Sequence, residues 1–321
     1  MTKIRIISDL HYDKGLNKEE YFDQVIGTEF LKEKADVTLI AGDLAAELQN
    51  KKEFLEAYFK NQYVFFTGGN HDVYVEGLKT IYEINDELKK EFPLMHSFWK
   101  YLNNDWAWIP GTNDSVAVIG STFYTDYEYS NWTVESFNEY QKAWNFWIQA
   151  YGLKAEYEEV TELSADRIIK ENQFIAKNSL NDFRWGYEAP GQHLTPYTYR
   201  ELHLKSKDEV LRCYDEILKQ NPNALVILLT HHCLSSKCID SAYLSSKGNA
   251  SYVSELEDWL CENMPNLRLV VSGHVHCRKD FKFGKDNKRY VVNACGYLPY
   301  NEPFKKKPEF NANFIIRTED L

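Results

Sequence analysis

Thr67-Gly68-Gly69-Asn70-His71-Asp72 follows the apolar run Tyr63-Val64-Phe65-Phe66. The run reads as a buried strand. The two glycines after it turn the chain sharply, because glycine adopts backbone angles closed to other residues. Three polar side chains then come in a row. Asn70 offers an amide oxygen, a ligand suited to a hard divalent cation. His71 can donate or accept a proton near neutral pH. Asp72 can hold that imidazole in place or raise its pKa. Alone, Gly69-Asn70-His71-Asp72 is a modest signal. Four further clusters of the same kind make it a strong one.

Upstream, Ile4-Arg5-Ile6-Ile7 ends in Ser8-Asp9-Leu10-His11, and Val37-Thr38-Leu39-Ile40 ends in Ala41-Gly42-Asp43. Downstream, Leu225-Val226-Ile227-Leu228-Leu229 ends in Thr230-His231-His232, and Leu267-Arg268-Leu269-Val270-Val271 ends in Ser272-Gly273-His274-Val275-His276. Between these strands the apolar spacing turns helical. Helices are expected over residues 19–34 (Tyr21, Phe22, Val25 and Leu31 on one face), around 50–60 (Phe54, Leu55, Tyr58, Phe59) and around 252–262. Leu78, Ile81, Tyr82 and Leu88 mark another. A further one opens on the capping box Ser206-Lys207-Asp208-Glu209. Ala107-Trp108-Ile109 and Val116-Ala117-Val118-Ile119 read as paired strands joined by a Pro-Gly turn, and Tyr290-Val291-Val292-Asn293 and Asn313-Phe314-Ile315-Ile316 as closing strands. The alternation predicts a layered α/β architecture. Each polar cluster stands just past the C-terminal end of a strand, where open α/β sheets bind ligands.

Residues 121–205 break this rhythm and are crowded with aromatics. Phe137, Tyr140, Trp144, Trp147, Ile148 and Tyr151 recur at helical spacing, and a second helix is expected over about 164–178. Asn181-Asp182-Phe183-Arg184-Trp185-Gly186 and Ala189-Pro190-Gly191 read as turns. The chain therefore reads as one domain over 1–321, with an aromatic-rich helical insertion at about 121–205 lying over the strand ends. The aromatic stripe has two readings. It packs the insertion onto the body, or it caps the site and stacks a planar group of a nucleotide-like substrate.

The net charge of −11, from 37 basic and 48 acidic residues, disfavours duplex nucleic acid or an anionic membrane as partner. A small phosphorylated substrate fits, because bound cations reverse the local field. The six cysteines form no Cys-x-x-Cys pair and read as reduced thiols of a cytoplasmic protein. The N-terminus enters a strand at once with no signal-peptide core, and no apolar run reaches membrane-spanning length.

The strand ends deliver imidazoles, carboxylates and one carboxamide, with no thiolate among them. Such mixed N and O ligands suit Mn²⁺ first, then Fe or Zn²⁺, in a catalytic role. There are too many ligands for one ion, and a shared carboxylate can offset the repulsion between two. Two ions roughly 3.5–4 Å apart clamp the attacking and leaving oxygens of a phosphoryl displacement. A water bridging them can lose its proton near neutral pH and attack as hydroxide. A histidine outside the metal shell can protonate the leaving oxygen.

Asp9-x-His11, Gly42-Asp43, Gly69-Asn70-His71-Asp72, His231 and Gly273-His274-x-His276 resemble, in order, spacing and strand-end placement, the five blocks of the calcineurin-like metallophosphoesterases. The resemblance covers the chain except the insertion and the extreme tail. It implies a four-layer α/β/β/α sandwich of two mixed β-sheets with helices outside. It implies one ion on Asp9, His11, Asp43 and His276 and another on Asp43, Asn70, His231 and His274, with Asp43 bridging. His71 would be the proton donor and Asp72 its orienting partner. His232 would stand behind the ligands or against substrate. Asp182-Phe183-Arg184 resembles a short motif in the insertion of some family members, so Arg184 is a candidate phosphate contact. His96, His193 and His203 are not expected to be ligands.

The expected function is thus a dinuclear metal-dependent phosphohydrolase acting on a phosphomonoester or phosphodiester. A DNA nuclease of the same family and a non-catalytic scaffold on this fold are the alternatives. Missing ligands would favour the scaffold, and every position is filled.

Overall fold

The computed structural model describes residues 2–13, 33–152, 158–297 and 309–321. The helix expected over residues 19–34 lies almost wholly outside the described residues.

Two sheets form the centre. The first runs in the order β13 (Ile315–Arg317), β1 (Lys3–Ile7), β2 (Val37–Ala41), β3 (Tyr63–Thr67), β4 (Trp99–Tyr101). Its strands are parallel except β13, which pairs antiparallel with β1. The second runs β11 (Arg278–Phe283), β12 (Lys288–Asn293), β10 (Leu267–Ser272), β9 (Leu225–Thr230), β6 (Val116–Ser121), β5 (Asp105–Trp108). There β12, β10, β9 and β6 are parallel and the two edge strands antiparallel. Both sheets are therefore mixed. The sequence reading missed β11, whose alternation of exposed and half-buried positions is that of an edge strand with one wet face.

Period-2 alternation assigns the layers. Ile4, Ile6, Val37, Leu39 and Phe65 of the first sheet meet Val118, Ile227, Leu229, Leu269 and Val271 of the second in one buried cluster. The intervening residues face outward. Ile7, Ile40, Val64 and Phe66 pack beneath Phe54 and Leu55 of α1 (Leu48–Tyr58) and Ile84, Leu88 and Phe92 of α2 (Ile81–Met95). Ala117, Ile119, Val226, Leu228 and Val270 pack beneath Val210, Cys213 and Ile217 of α6 (Pro196–Gln220) and Leu260 of α7 (Glu257–Asn263). The result is the expected α/β/β/α sandwich. Truncating one of the central residues to alanine costs about 2–5 kcal/mol.

Between β6 and α6 the chain builds α3 (Val134–Ala150), α4 (Ala165–Ser179), α5 (Asp182–Trp185) and the hairpin β7 (Tyr187–Ala189) and β8 (Gln192–His193). Three helix boundaries differ from the expected ones, among them that of α7, which begins at Glu257 and not near residue 252. Ser206 does not open a helix: α6 starts at Pro196, capped by Thr195, and runs through residue 206 without a break. The Thr195/Thr198 box with proline at the first helical position is the stronger start signal. Leu78 precedes α2, which begins on the Thr80/Glu83 capping box. Among the described residues no helix is long and apolar enough to cross a membrane.

Candidate metal centre

The parallel strands β1, β2, β3, β9 and β10 deliver their C-terminal ends to one edge of the sandwich. Cross-connections fasten that edge: Asp9 N–H donates to Gly42 O at 3.1 Å, His11 N–H to Asp43 O at 3.0 Å, and Gly273 N–H to His231 O at 3.0 Å. Aiming the side chains inward requires unusual backbone. Asp9, His11, Asp43, His274 and His276 all have positive φ, between 45° and 67°. Such left-handed conformations cost non-glycine residues of order 1–3 kcal/mol each and gather at functional sites.

The glycine of the opening stretch acts differently from the expectation. Gly69 has φ −117° and ψ −177°, angles open to any residue. Space is what requires glycine: a Cβ there would stand 2.0 Å from Asp43 Oδ1. Gly273 is closed in the same way, its Cβ position lying 2.4 Å from Asp9 Oδ2.

Asp43 is the hub. Its Oδ1 accepts the His71 backbone N–H at 2.9 Å. Its Oδ2 has His231 Nε2 at 3.4 Å, His71 Nε2 at 3.8 Å and His11 Nε2 at 4.0 Å. On one side Asp9 Oδ1 lies 3.3 Å from His276 Nε2, which is 3.1 Å from His11 Nε2. On the other, His231 Nε2 lies 3.0 Å from Asn70 Oδ1, while His231 Nδ1 donates to Ala41 O at 2.9 Å. The His274 backbone N–H bridges both oxygens of Asp9 at 3.0 Å. Ligand atoms fall into overlapping groups: Asp9, His11 and His276; His11, Asp43 and His71; Asp43, His231 and His274.

The electrostatics follow from this crowding. Burial pushes the Asp43 carboxyl up, but the imidazoles of His231, His71 and His11 outweigh it and hold it well below its ordinary value. Burial pulls His231 down, yet the Asp43 charge, 3.4 Å away, raises it to about 9. His274 goes far below its ordinary value through burial and the neighbouring His232 and His231.

The donor set fits metal ions. Asp43 Oδ2 and His274 Nε2 are buried and have no hydrogen-bond partner among the described residues. Two such atoms without partners are costly unless something charged sits between them. Imidazole nitrogens, carboxylates and one amide oxygen are the ligands of a catalytic first-row metal site.

The other expected site residues divide. His71 reaches the site and lines a cavity of about 550 Å³ above Asp43. Asp72 does not touch it through its side chain among the described residues. Its carboxylate accepts Gly69 N–H at 2.9 Å and pairs with the buried Lys51 at 2.8 Å. It fastens the turn that carries His71. Burial raises the Asp72 carboxyl despite Lys51. His232 faces the core, its ring 4.3 Å from that of His274, and does not line the cavity. Arg184 is exposed, donates to Asn178 O at 3.2 Å and is also absent from the cavity wall.

Sequence reasoning missed three residues. Lys51 was detectable as a cation on the buried stripe of α1, at i, i+3 and i+4 with Phe54 and Leu55. Asp182 lies two residues before Arg184, in the same short motif. Its carboxylate accepts Asn70 Nδ2–H at 3.0 Å and the Tyr74 hydroxyl. Tyr297, with its hydroxyl 2.7 Å from His71 Nε2 and its ring stacked on His11, carried no sequence signal.

The insertion contributes Ser179, Leu180, Asn181 and Asp182 to the cavity wall, but none of its aromatic stripe. Phe137 and Tyr140 pack with Trp132, Val160 and Ile168 in a cluster of their own. Trp144 meets Phe174 across α3 and α4, and Phe146, Trp147 and Tyr151 are exposed. These contacts are packing contacts within the insertion.

A fold of this kind, ending in such a constellation, defines a metal-dependent phosphoesterase. The family model of the calcineurin-like phosphoesterases matches residues 2–167, and the chain belongs to that family. Among solved structures it is similar to the phosphopantetheinyl hydrolase of Mycobacterium tuberculosis, at 14% identity and a TM-score of 0.57, covering 92% of this chain and 89% of that one. It overlaps more loosely with a dimetal phosphatase from Danio rerio, at 11% identity and a TM-score of 0.40, over 91% of this chain and 86% of the other. No curated protein matches it by sequence.

Proposed function

We propose that the chain is a dinuclear phosphohydrolase for a small phosphate ester, monoester or diester, with Mn²⁺ the preferred metal. One ion is held by Asp9, His11, Asp43 and His276, the other by Asp43, Asn70, His231 and His274. The observation that carries this is Asp43 Oδ2, buried, without a hydrogen-bond partner among the described residues, and faced by His231, His71 and His11. When bound, the pair of cations supplies Lewis acidity to the phosphoryl group and acidity to a water.

The chain's own residues do the rest. His71 is the proton donor. It lines the cavity, its backbone is tied to Asp43 Oδ1, and its Nε2 carries the proton toward the leaving oxygen. Tyr297 holds that nitrogen before substrate arrives and must yield the position to the leaving group. Asp72 and Lys51 brace the turn from below.

Tyrosines also shape the substrate side. Tyr74, Tyr243, Tyr252 and Tyr297 line the cavity with Asn249 and Asp240. Tyr252 is already stacked on His274, at 4.8 Å, whereas Tyr243 is 64% exposed and offers its ring. A nucleotide-like ester suits this wall, and stacking is worth about 1–3 kcal/mol per base. In this reading the chain is one domain over 1–321 with residues 121–205 inserted, and the α4–α5 junction, whose residues 179–182 line the cavity, faces the substrate.

Metal analysis of the full chain, with a screen of phosphomonoesters, cyclic nucleotides and dinucleotides under Mn²⁺, tests the reading. Two ions per chain with turnover of a small ester is the expected result. A chain that binds no second ion, or that shifts duplex DNA in a gel at moderate salt and cleaves it in preference to small esters, would sink it.

A further inference from the structure

Asn70 is the only carboxamide in the proposed ligand set, and a carboxamide can face either way. Its oxygen accepts and its nitrogen donates, and a half-turn exchanges them. Here Oδ1 faces His231 Nε2 at 3.0 Å, while Nδ2 donates to Asp182 Oδ1 at 3.0 Å. Asp182 belongs to the insertion, 112 residues away in the chain, and is 2% exposed. Burial raises the Asp182 carboxyl while the hydrogen bonds from Tyr74 and Asn70 favour its charged form, and in that form it has acceptors only. Turning the amide over would set two oxygens against each other at Asp182 and present an NH₂ group to the metal side.

We propose that Asp182 is a positioning residue for the metal centre. It selects the rotamer of Asn70 that offers its oxygen to the second ion, so that the insertion controls occupancy of that site. The inference rests on the metal assignment proposed above.

The surroundings hold Asp182 in place for this. Tyr74, beside His71, donates its hydroxyl to the same oxygen. Phe183, the next residue, is buried edge-on against Tyr199 at 5.1 Å, which anchors α5 to α6. Gly186 closes α5 where a Cβ would stand 2.4 Å from Leu194 and 2.9 Å from Val73, so the short helix is wedged against the turn carrying Asn70. Ser179, Leu180 and Asn181, just ahead of it, line the cavity with Asp182 itself. A group entering the cavity therefore touches the segment that sets Asn70.

The test uses the metal-stripped full chain titrated with Mn²⁺ by calorimetry, with the melting temperature of the metal-free protein measured alongside. Asp182→Ala is expected to weaken one of the two ions by about 10–100-fold and leave the other unchanged, the usual effect of losing a group that orients a metal ligand. Asp182→Asn keeps the shape and one acceptor, but its amide can turn together with that of Asn70. It is expected to weaken the same ion by a smaller factor, with little change in melting temperature. Equal weakening of both ions, or wild-type affinity in folded Asp182→Ala, overturns the proposal. If Asp182→Ala does not fold, Asp182→Asn decides: wild-type affinity for both ions overturns it, and selective weakening of one supports it. A wild-type chain that itself fails to bind two ions would instead refute the underlying metal assignment.

Discussion

Around Asp43, polar side chains from five strand ends point at one another across a few ångströms. In the insertion, Phe137, Tyr140 and Trp144 pack against their own neighbours, and Phe146, Trp147 and Tyr151 face solvent. Both patterns are regular in sequence, yet the strand-end residues line the cavity and the aromatic stripe does not. The strand ends have no freedom: parallel pairing through β1, β2 and β3, and through β6, β9 and β10, fixes where each strand stops. A helix carries no such constraint. Its stripe says which residues share a face, and the nearest apolar partner takes that face.

The contrast is broken most severely at its hub. Asp43→Ala removes the carboxylate proposed to bridge both ions, and activity and bound metal should fall below detection together. Near-normal turnover with a full metal complement would dissolve the strand-end half of the comparison. Next in size is His71→Ala, expected to keep both ions and lose rate by roughly 10²–10⁴-fold if protonation limits the step. The loss should shrink on esters with a good leaving group. Equal losses on good and poor leaving groups would remove His71 from the role of acid.

Protonation sharpens the picture further. In the metal-free protein His231 is held at about 9 by Asp43, above the ordinary imidazole value. That pairing stabilises the metal-free fold fully below about pH 6.5 and is lost as pH rises through about 9. A metal takes the neutral imidazole, so binding near pH 7.5 must release this proton. Mn²⁺ affinity should rise with pH up to about 9, and calorimetry in buffers of different ionisation heat should show proton release. A flat profile would contradict the His231 assignment.

The smallest effects belong to the insertion surface. Phe146→Ala and Trp147→Ala should leave KM unchanged and move stability by less than about 0.5 kcal/mol, as exposed substitutions do. Phe137→Ala, inside the insertion's own cluster, should destabilise by about 3–5 kcal/mol, read from denaturant unfolding. A raised KM for a nucleotide ester in Trp147→Ala would restore the stripe as a substrate cap and erase the distinction between the two regions.

The sequence by itself determined the α/β layering, the order of the strand-end blocks and the identity of the residues that meet around Asp43. It did so because strand periodicity and ligand chemistry are local, and each block carries both. The tertiary structure alone decided what stands behind those residues. Lys51 under Asp72, Asp182 against Asn70 and Tyr297 over His71 are pairs separated by 21, 112 and 226 positions. No periodicity links them. The same distance in chain hid that Arg184 hydrogen-bonds the Asn178 carbonyl, and that His232 stands behind the proposed ligands, its ring against those of His231 and His274. It also gave Gly69 a reason the sequence did not suggest, since what forbids a side chain there is a carboxylate arriving from another strand. Local physics fixes which groups a segment can offer, and only the packing of distant segments decides which of them meet.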